Sequence, residues 1–357
     1  MAGDYAFEPD LARAASVPSR WYTDPAALER ETERVFARTW QFVGTVEDVA
    51  EPGAYFTATV AGEPVIVVRG RDGVVRALSN VCRHRAGPVA SGCGIRKSFQ
   101  CGYHGWSYAL DGRLLAMPEF DGVENFRKED HPLPAFALRQ WGPLLFVRVA
   151  PDGPEFDDFT GELAARLRGR SFDGWRRAFR KEWTLDCNWK VYVDNYLEGY
   201  HIPIVHPSLF RELDYARYRT ETARWFSIQH APIQRGERLR RDPAAESSEA
   251  EFYWLFPNLM LNVYPDNFST NLIVPLGHEK TATLFEWFFR DPEADGVAKL
   301  IEETVRYSDE IQLEDVAICE AVQRGLRSRT YDTGRYSVRR ENGVHHFHGL
   351  LTEFLRA

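Results

Sequence analysis

An α+β fold is what the sequence predicts, on three observations. Short runs of period-two alternation crowd into residues 53–149, a proline-, glycine- and acid-rich linker follows at 151–159, and helical and strand patterns mix beyond it. At 357 residues the chain is too long for one small core and comfortable for two domains. A net charge of −8 argues against nucleic acid as a partner, because phosphate binding needs a basic face. No apolar run approaches the ~20 residues needed to span a bilayer. The opening MAGDYAFEPDLARAASVPSR lacks the basic start and apolar stretch of a signal peptide. Five thinly spread cysteines do not read as a disulfide framework, so a reducing cytoplasm is the expected compartment.

Residues 24–40 predict a helix, with Leu28, Thr32, Val35 and Phe36 on one face, Asp24 as cap and Pro25 at the first position. Tyr55–Val60, Val65–Arg69 and Val74–Leu78 predict strands, broken at Gly62 and at the Arg71-Asp72-Gly73 turn. Asp111-Gly112 is a further turn and Leu144–Val149 a last strand, so residues 42–150 form a small antiparallel β domain after an N-terminal helical segment, 1–41. In the remainder, 151–357, Thr184–Tyr200 reads as a helix. Phe252–Tyr264, Thr270–Pro275 and Thr281–Phe289 read as strands, and Val297–Leu326 as a long helix. The charged stretch 236–251 is expected to be a mobile loop.

Inside the β domain, Cys82-Arg83-His84 is followed, after sixteen intervening residues, by Cys101-Gly102-Tyr103-His104. The four side chains supply two thiolates and two imidazoles. That set suits a [2Fe–2S] centre in which two His replace two Cys on one iron, and it is also a Cys₂His₂ zinc set. Zinc fingers pair Cys with Cys and His with His, whereas these pairs are mixed. Cys93, Cys187 and Cys319 lack ligand partners and are expected to be packed thiols.

The second constellation runs from Asn188 to His206. Asp194, Glu198 and His201 are spaced four and three apart and share a helix face; Pro203 ends that helix and lets His206 come round beside His201. An isolated pair of this kind reads first as a buried polar network. The redox centre upstream raises the metal reading instead, a 2-His-1-carboxylate site for Fe(II) with open positions. The carboxylate expected is Asp315, on an apolar stripe with Ile311, Ile318, Val322 and Leu326, where it needs a positive partner. Glu314, the alternative ligand, falls with Glu310 and Ala317 on a face that can be solvated, which favours Asp315; a buried ion pair is the other role open to Asp315.

CRHRAGPVASGCG and CGYHGWSYALDGRL resemble the Rieske domain of ring-hydroxylating and related oxygenases, and the likeness covers nearly the whole chain after residue 30. Gly102 departs from it, standing where that family commonly has proline. The resemblance implies that 42–150 is the Rieske domain, with Cys82, His84, Cys101 and His104 as cluster ligands. It implies that 151–357 is a helix-grip-like catalytic domain holding mononuclear iron through His201, His206 and Asp315, with segment 1–41 packed on it. Glu198 looks like the acid that bridges a ligand His of each centre, one methylene longer than the Asp more common there, with Asp194 in support. STNLIVPLG, SDEIQLEDVAICEAVQRGLRS and ENGVHHFHGLL resemble the branch that oxidises choline, glycine betaine, carnitine and similar amines. His345, His346 and His348 within the last of these are expected in a packed strand.

The function this implies is that of an oxygenase component acting on a small molecule with O₂. Its electrons come from NAD(P)H through a separate flavin or iron–sulfur reductase, since the chain has no GxGxxG fingerprint of its own. The resemblance further implies a homotrimer in which each cluster serves the neighbouring subunit's iron. Rings are plentiful in the second half, namely Tyr196, Tyr200, Trp225, Phe252, Tyr253, Trp254, Phe256, Tyr264 and Phe268. Two or three of them in a pocket would cage a trimethylammonium group by cation–π attraction, and would equally suit an aromatic acid. The non-enzyme alternative is a Rieske electron carrier or sensor, against which the His201/His206 motif and the large second half both count.

Overall fold

The computed structural model describes residues 5–167, 174–236, 239 and 248–356. Most of the expected loop 236–251 lies outside the described residues. The chain folds as two compact units, residues 36–173 and residues 1–35 with 174–357.

Helices α1 (Arg20–Thr23) and α2 (Pro25–Glu31) open the chain. The Asp24 carboxylate caps α2 by accepting from Ala26 N at 3.0 Å, and Pro25 occupies the first turn, where its missing N–H costs nothing. The helix expected to reach residue 40 instead continues as a π turn, Thr32–Phe36, and stops.

The unit of residues 36–173 holds β1 (Gln41–Thr45), β2 (Ala54–Val60), β3 (Glu63–Arg69), β4 (Val75–Ser79), β5 (Cys93–Ile95), β6 (Phe99–Gln100), β7 (Ser107–Tyr108), β8 (Leu114–Ala116), β9 (Ala135–Trp141) and β10 (Leu144–Arg148). They form a seven-stranded sheet ordered β1-β10-β9-β4-β3-β2-β5 and a three-stranded sheet β6-β7-β8, followed by α3 (Phe156–Arg166). Tyr55, Ile66, Val68 and Leu78 from the larger sheet meet Phe99, Trp106 and Tyr108 from the smaller one in a single core, against which Cys82 and Cys101 are buried. Alternation along β2 and β3 therefore serves to back the two cysteine loops.

In the other unit, β11 (Arg176–Leu185) comes first and the segment expected to be helical from Thr184 is helical only over α4 (Trp189–Tyr196). The Asn188 side chain caps α4 by accepting from Lys190 N. Short α5 (Ile202–Val205) and α6 (Pro207–Glu212) follow, then β12 (Arg219–Thr222), β13 (Phe226–Pro232), β14 (Glu249–Leu255), β15 (Leu259–Val263), β16 (Phe268–Gly277) and β17 (Lys280–Phe289). Phe252–Tyr264, expected as one strand, is a hairpin of two, divided at Phe256-Pro257-Asn258, because proline cannot donate within a ladder. The sheet is a seven-stranded antiparallel meander, β11-β17-β16-β15-β14-β13-β12. Helix α7 (Val297–Leu326) packs on α4 and β11, and α8 (Asn342–Arg356) on β12. The triple-histidine text is thus helical, not the expected strand: His345 and His348 turn into the core on α8's buried face.

Lys190 fixes α4 from below. Its Nζ lies 2.7 Å from Glu31 Oε1 with both side chains fully buried, and Trp189 Nε1 donates to Glu31 Oε2 at 2.7 Å. Burial drives the Lys190 pKa down, against the pull of Glu31 and Asp194. Removing one member leaves the other charge stranded. Lys190→Met is therefore expected to lower unfolding stability by about 3–5 kcal/mol, while Lys190→Met with Glu31→Leu recovers most of it. Urea unfolding followed by circular dichroism checks this; equal losses in single and double variants would show that packing, not the charge, matters.

Candidate iron and cluster sites

The two cysteine loops are built alike. Cys82 N donates to Gly87 O and Ala86 N to Cys82 O; Cys101 N donates to Trp106 O and Gly105 N to Cys101 O. The fourth residue after each cysteine has positive φ, Ala86 at 56° and Gly105 at 75°. A Cβ on Gly87 would stand 2.9 Å from Cys101 Sγ, so glycine is what allows the loops to close on each other. Both thiols are buried, and Tyr108 Oη lies 3.3 Å from Cys82 Sγ. His84 and His104 lie side by side with ring centroids 4.6 Å apart; His84 stacks on Trp106, and His104 is exposed.

The donor set fits an extended cluster better than a single ion. Tetrahedral zinc would draw its ligand atoms to within about 4 Å of one another. Among the described residues, the groups with three donors inside 4.8 Å include none of these four. His84 Nδ1 is buried without a hydrogen-bond partner, an arrangement that suits a ligand atom. Cys93, expected to be packed, is exposed on β5; Cys187 and Cys319 are buried as expected, although Cys187 precedes α4 rather than lying in a helix.

The second site is tighter. His201, His206 and Asp315 each offer a donor atom within 4.8 Å of the others. His206 Nε2 is 3.0 Å and His201 Nε2 3.9 Å from Asp315 Oδ1, with the rings crossed at 76°. The opposite ring nitrogens are both held by carboxylates, His201 Nδ1 by Glu198 Oε1 and His206 Nδ1 by Glu314 Oε2, each at 2.7 Å. Two imidazoles with Nδ1 anchored and Nε2 turned to a common carboxylate oxygen form the carboxylate–histidine–metal pattern. Burial lowers the His206 pKa, but Asp315 and Glu314 outweigh it and the net shift is upward. A bound cation would displace that proton. Asn195 Nδ2 adds a hydrogen bond to Asp315 Oδ1 at 2.6 Å.

Sequence reasoning weighs Glu314 only as a rival ligand and misses its role as the anchor of His206. Periodicity sets it on a solvated face, yet it reaches the histidine between α5 and α6, a partner that the pattern of its own helix cannot reveal. The buried stripe of α7 also differs from the expected one: Gln312, Cys319 and Gln323 are buried one position beyond Ile311, Ile318 and Val322, Leu326 is buried as expected, and Val322 is exposed. Glutamines mask a buried face in a hydrophobicity reading. Here they bond inward, Gln312 to Tyr192 and Thr283, Gln323 to Asn188 and Glu279. Glu198 also accepts from the backbone N–H of Tyr200 and His201. Asp194 points elsewhere, to Tyr22 and His348.

A cavity of about 150 Å³ opens on the three donors. One cross-strand row of the sheet, Gln229–Phe252–Asn262–Ser269–Trp287, faces it, and α7 lays Thr304, Ser308, Ile311 and Asp315 across it at helical spacing. Of the nine rings singled out from the sequence, Tyr196, Phe252 and Tyr264 line the cavity. Tyr253, Trp254, Phe256 and Phe268 are core, and Tyr200 is exposed. Tyr218, Tyr307, Phe285 and Trp287 line it unforeseen, because sheet rows and helix stripes converge from distant text.

Residues 39–127 match the Rieske [2Fe–2S] domain family, and residues 172–357 match the catalytic domain of the ring-hydroxylating alpha subunit. The choline monooxygenase of Arabidopsis thaliana is 37% identical over 359 residues, covering 97% of this chain and 84% of that protein. The carnitine monooxygenase oxygenase subunit of Acinetobacter pittii is 31% identical over 364 residues, covering 98% and 97%. The structure of a quaternary ammonium Rieske monooxygenase, described for carnitine oxidation and inter-subunit electron transfer, superposes with a TM-score of 0.88 at 29% identity, covering 97% and 96%. With a Rieske domain followed by the catalytic domain of the ring-hydroxylating alpha subunit, the chain belongs to the Rieske-type non-haem iron oxygenases.

Proposed function

We propose that this oxygenase hydroxylates a small quaternary or tertiary amine, a choline-, betaine- or carnitine-like cation. The observation that carries the reading is a ring-lined cavity at the His201–His206–Asp315 group. Tyr196, Phe252 and Tyr264 border that cavity, and a desolvated cation gains about 2 kcal/mol or more on a good aromatic face. Relatives acting on choline and carnitine support the same class.

In this reading Cys82 and Cys101 hold one iron of the cluster, His84 and His104 the other, and His201, His206 and Asp315 hold the mononuclear iron. When bound, the cluster supplies electrons one at a time and the mononuclear iron activates O₂. Glu198 and Glu314 fix the tautomers and directions of the two imidazoles, and the rings exclude water around the cation. Residues 42–150 serve as the Rieske domain and 151–357 as the catalytic domain, with 1–41 on the latter; the Glu31–Lys190 pair supports that last placement. The electron donor is a flavin or iron–sulfur reductase fed by NAD(P)H. The assembly is a homotrimer in which the cluster of one chain serves the iron of its neighbour. Exposure of Tyr103 and His104 at the cluster, and of Tyr200 and Ile204 beside His201, supports it. We place the protein in the cytoplasm; among the described residues no helix is long and apolar enough to cross a membrane.

The test is substrate-dependent O₂ uptake with a surrogate reductase, across a panel of quaternary amines and aromatic acids. Uptake is expected with one or more trimethylammonium compounds, giving formaldehyde if an N-methyl carbon is attacked or an aldehyde hydrate if an alcohol carbon is. Coupled oxidation of benzoate-like acids, with no response to any amine, would overturn it. A second expectation concerns the bridge. Glu198→Gln keeps both centres but slows single-turnover electron transfer from pre-reduced cluster by about 10–100-fold. An unchanged rate would reduce Glu198 to a support for the loop.

A further inference from the structure

A second cavity, of about 330 Å³, lies against the same iron site. Asn195, Glu198 and His201 line both cavities and so form the wall between them. The polar side of the second one is a connected set of buried and part-buried groups. Tyr336 Oη lies 2.6 Å from His348 Nδ1, His348 Nε2 lies 3.0 Å from Asp194 Oδ1, and Tyr22 Oη donates to Asp194 Oδ2 at 2.6 Å. Glu341, immediately before α8, lines the cavity too and accepts from Ser337 N. Arg335, the arginine in this lining, donates to the carbonyls of Ala12 and Ala14. Tyr331 and Cys319 complete the titratable lining.

Three carboxylates, of Asp194, Glu198 and Glu341, therefore line one cavity with one histidine outside the iron ligands. Burial raises the Glu341 pKa against the hydrogen bond from Ser337, and the charges of Glu198 and Asp194 add to the rise. A group so placed keeps its proton closer to neutral pH than an exposed glutamate does.

We propose that this cavity supplies protons to the iron site, with Glu341 and the Asp194–His348 pair as the groups that hold and pass them. The inference rests on the oxygenase reading. In hydroxylation R–H, O₂, two electrons and two protons give R–OH and H₂O; the electrons come from the reductase, and the protons must cross the protein. The Tyr336–His348–Asp194 chain offers hydrogen-bonded steps, and a cavity of this size with several polar partners has room for bridging water. Asp194 and His348 line the second cavity and not the first, so they act through the wall rather than on substrate and are positioning residues.

Glu341→Gln preserves size and the acceptor for Ser337. In the holoenzyme it is expected to slow single-turnover product formation by roughly tenfold or more and to raise the solvent deuterium isotope effect on that step, with iron content and amine affinity unchanged. His348→Ala is expected to behave likewise and to recover in part with added imidazole. Independently of turnover, the infrared band of a protonated carboxylic acid near neutral pH is expected in the parent and absent in Glu341→Gln. Wild-type rates and isotope effects in both variants would overturn the proposal. So would a loss of iron or amine affinity in step with the rate and without rescue, since that marks a tie holding α1, α4 and α8 together. If the parent consumes no O₂ with any amine or acid, the oxygenase reading fails instead, and the infrared comparison still decides whether Glu341 holds a proton.

Discussion

Asp315→Ala is expected to empty the mononuclear site and leave the cluster untouched, so that iron falls from about three to about two per chain while the Rieske visible spectrum persists. Three donors converge here, and Oδ1 of Asp315 is the atom to which both Nε2 atoms turn. Two imidazoles alone do not complete a facial triad, and activity should fall below detection. His206→Ala is expected to do the same, because its Nε2 is the nearer of the two imidazole nitrogens to Asp315. Glu314 provides the internal control. It touches only the far nitrogen of His206, so Glu314→Ala should weaken iron binding by about 10–100-fold without abolishing it. Iron analysis beside single-turnover assays separates the cases. If Asp315→Ala keeps iron and turnover while Glu314→Ala loses both, the ligand is the neighbouring residue.

That ordering of Asp315 over Glu314 is legible in the sequence, but only half of its reason is. The apolar stripe of α7 puts Asp315 inward, and the structure does bring it to the histidines. The same stripe places Glu314 toward water, since a single-helix pattern sees neither α5 nor α6. Several local signals read well: the Asp24 cap, the β2–β4 strands and the limits of α7 all depend on residues close in sequence. Features that depend on partners far along the chain read poorly. Thr184–Leu185 is strand because β17 pairs with it, although its text suits a helix. The histidines of α8 read as strand because their partners, Glu8, Tyr336 and Asp194, come from other segments. The cavity rings share one face only after β13 to β17 are in register.

Cys82→Ser and Cys101→Ser are each expected to lose the cluster entirely, with its visible absorption and electron-spin-resonance signal, and to leave the other unit folded with its mononuclear iron. A hydroxyl is a harder and less acidic donor than a thiol and a poor substitute on a cluster iron. Each loop contributes one thiol, both are buried, and the loops close on each other at Gly87, where a Cβ would stand 2.9 Å from Cys101 Sγ. The remaining unit has its own core, with Trp189, Trp254 and Trp287 fully buried, so circular dichroism should keep the signal of α7 and α8. Iron should then fall to about one per chain. Cys93→Ser is the matched control, an exposed thiol whose replacement should change neither iron nor spectrum. A Cys82 or Cys101 variant that retains the Rieske signals would break the ligand assignment. One that unfolds the whole chain would break the argument that each unit carries its own core.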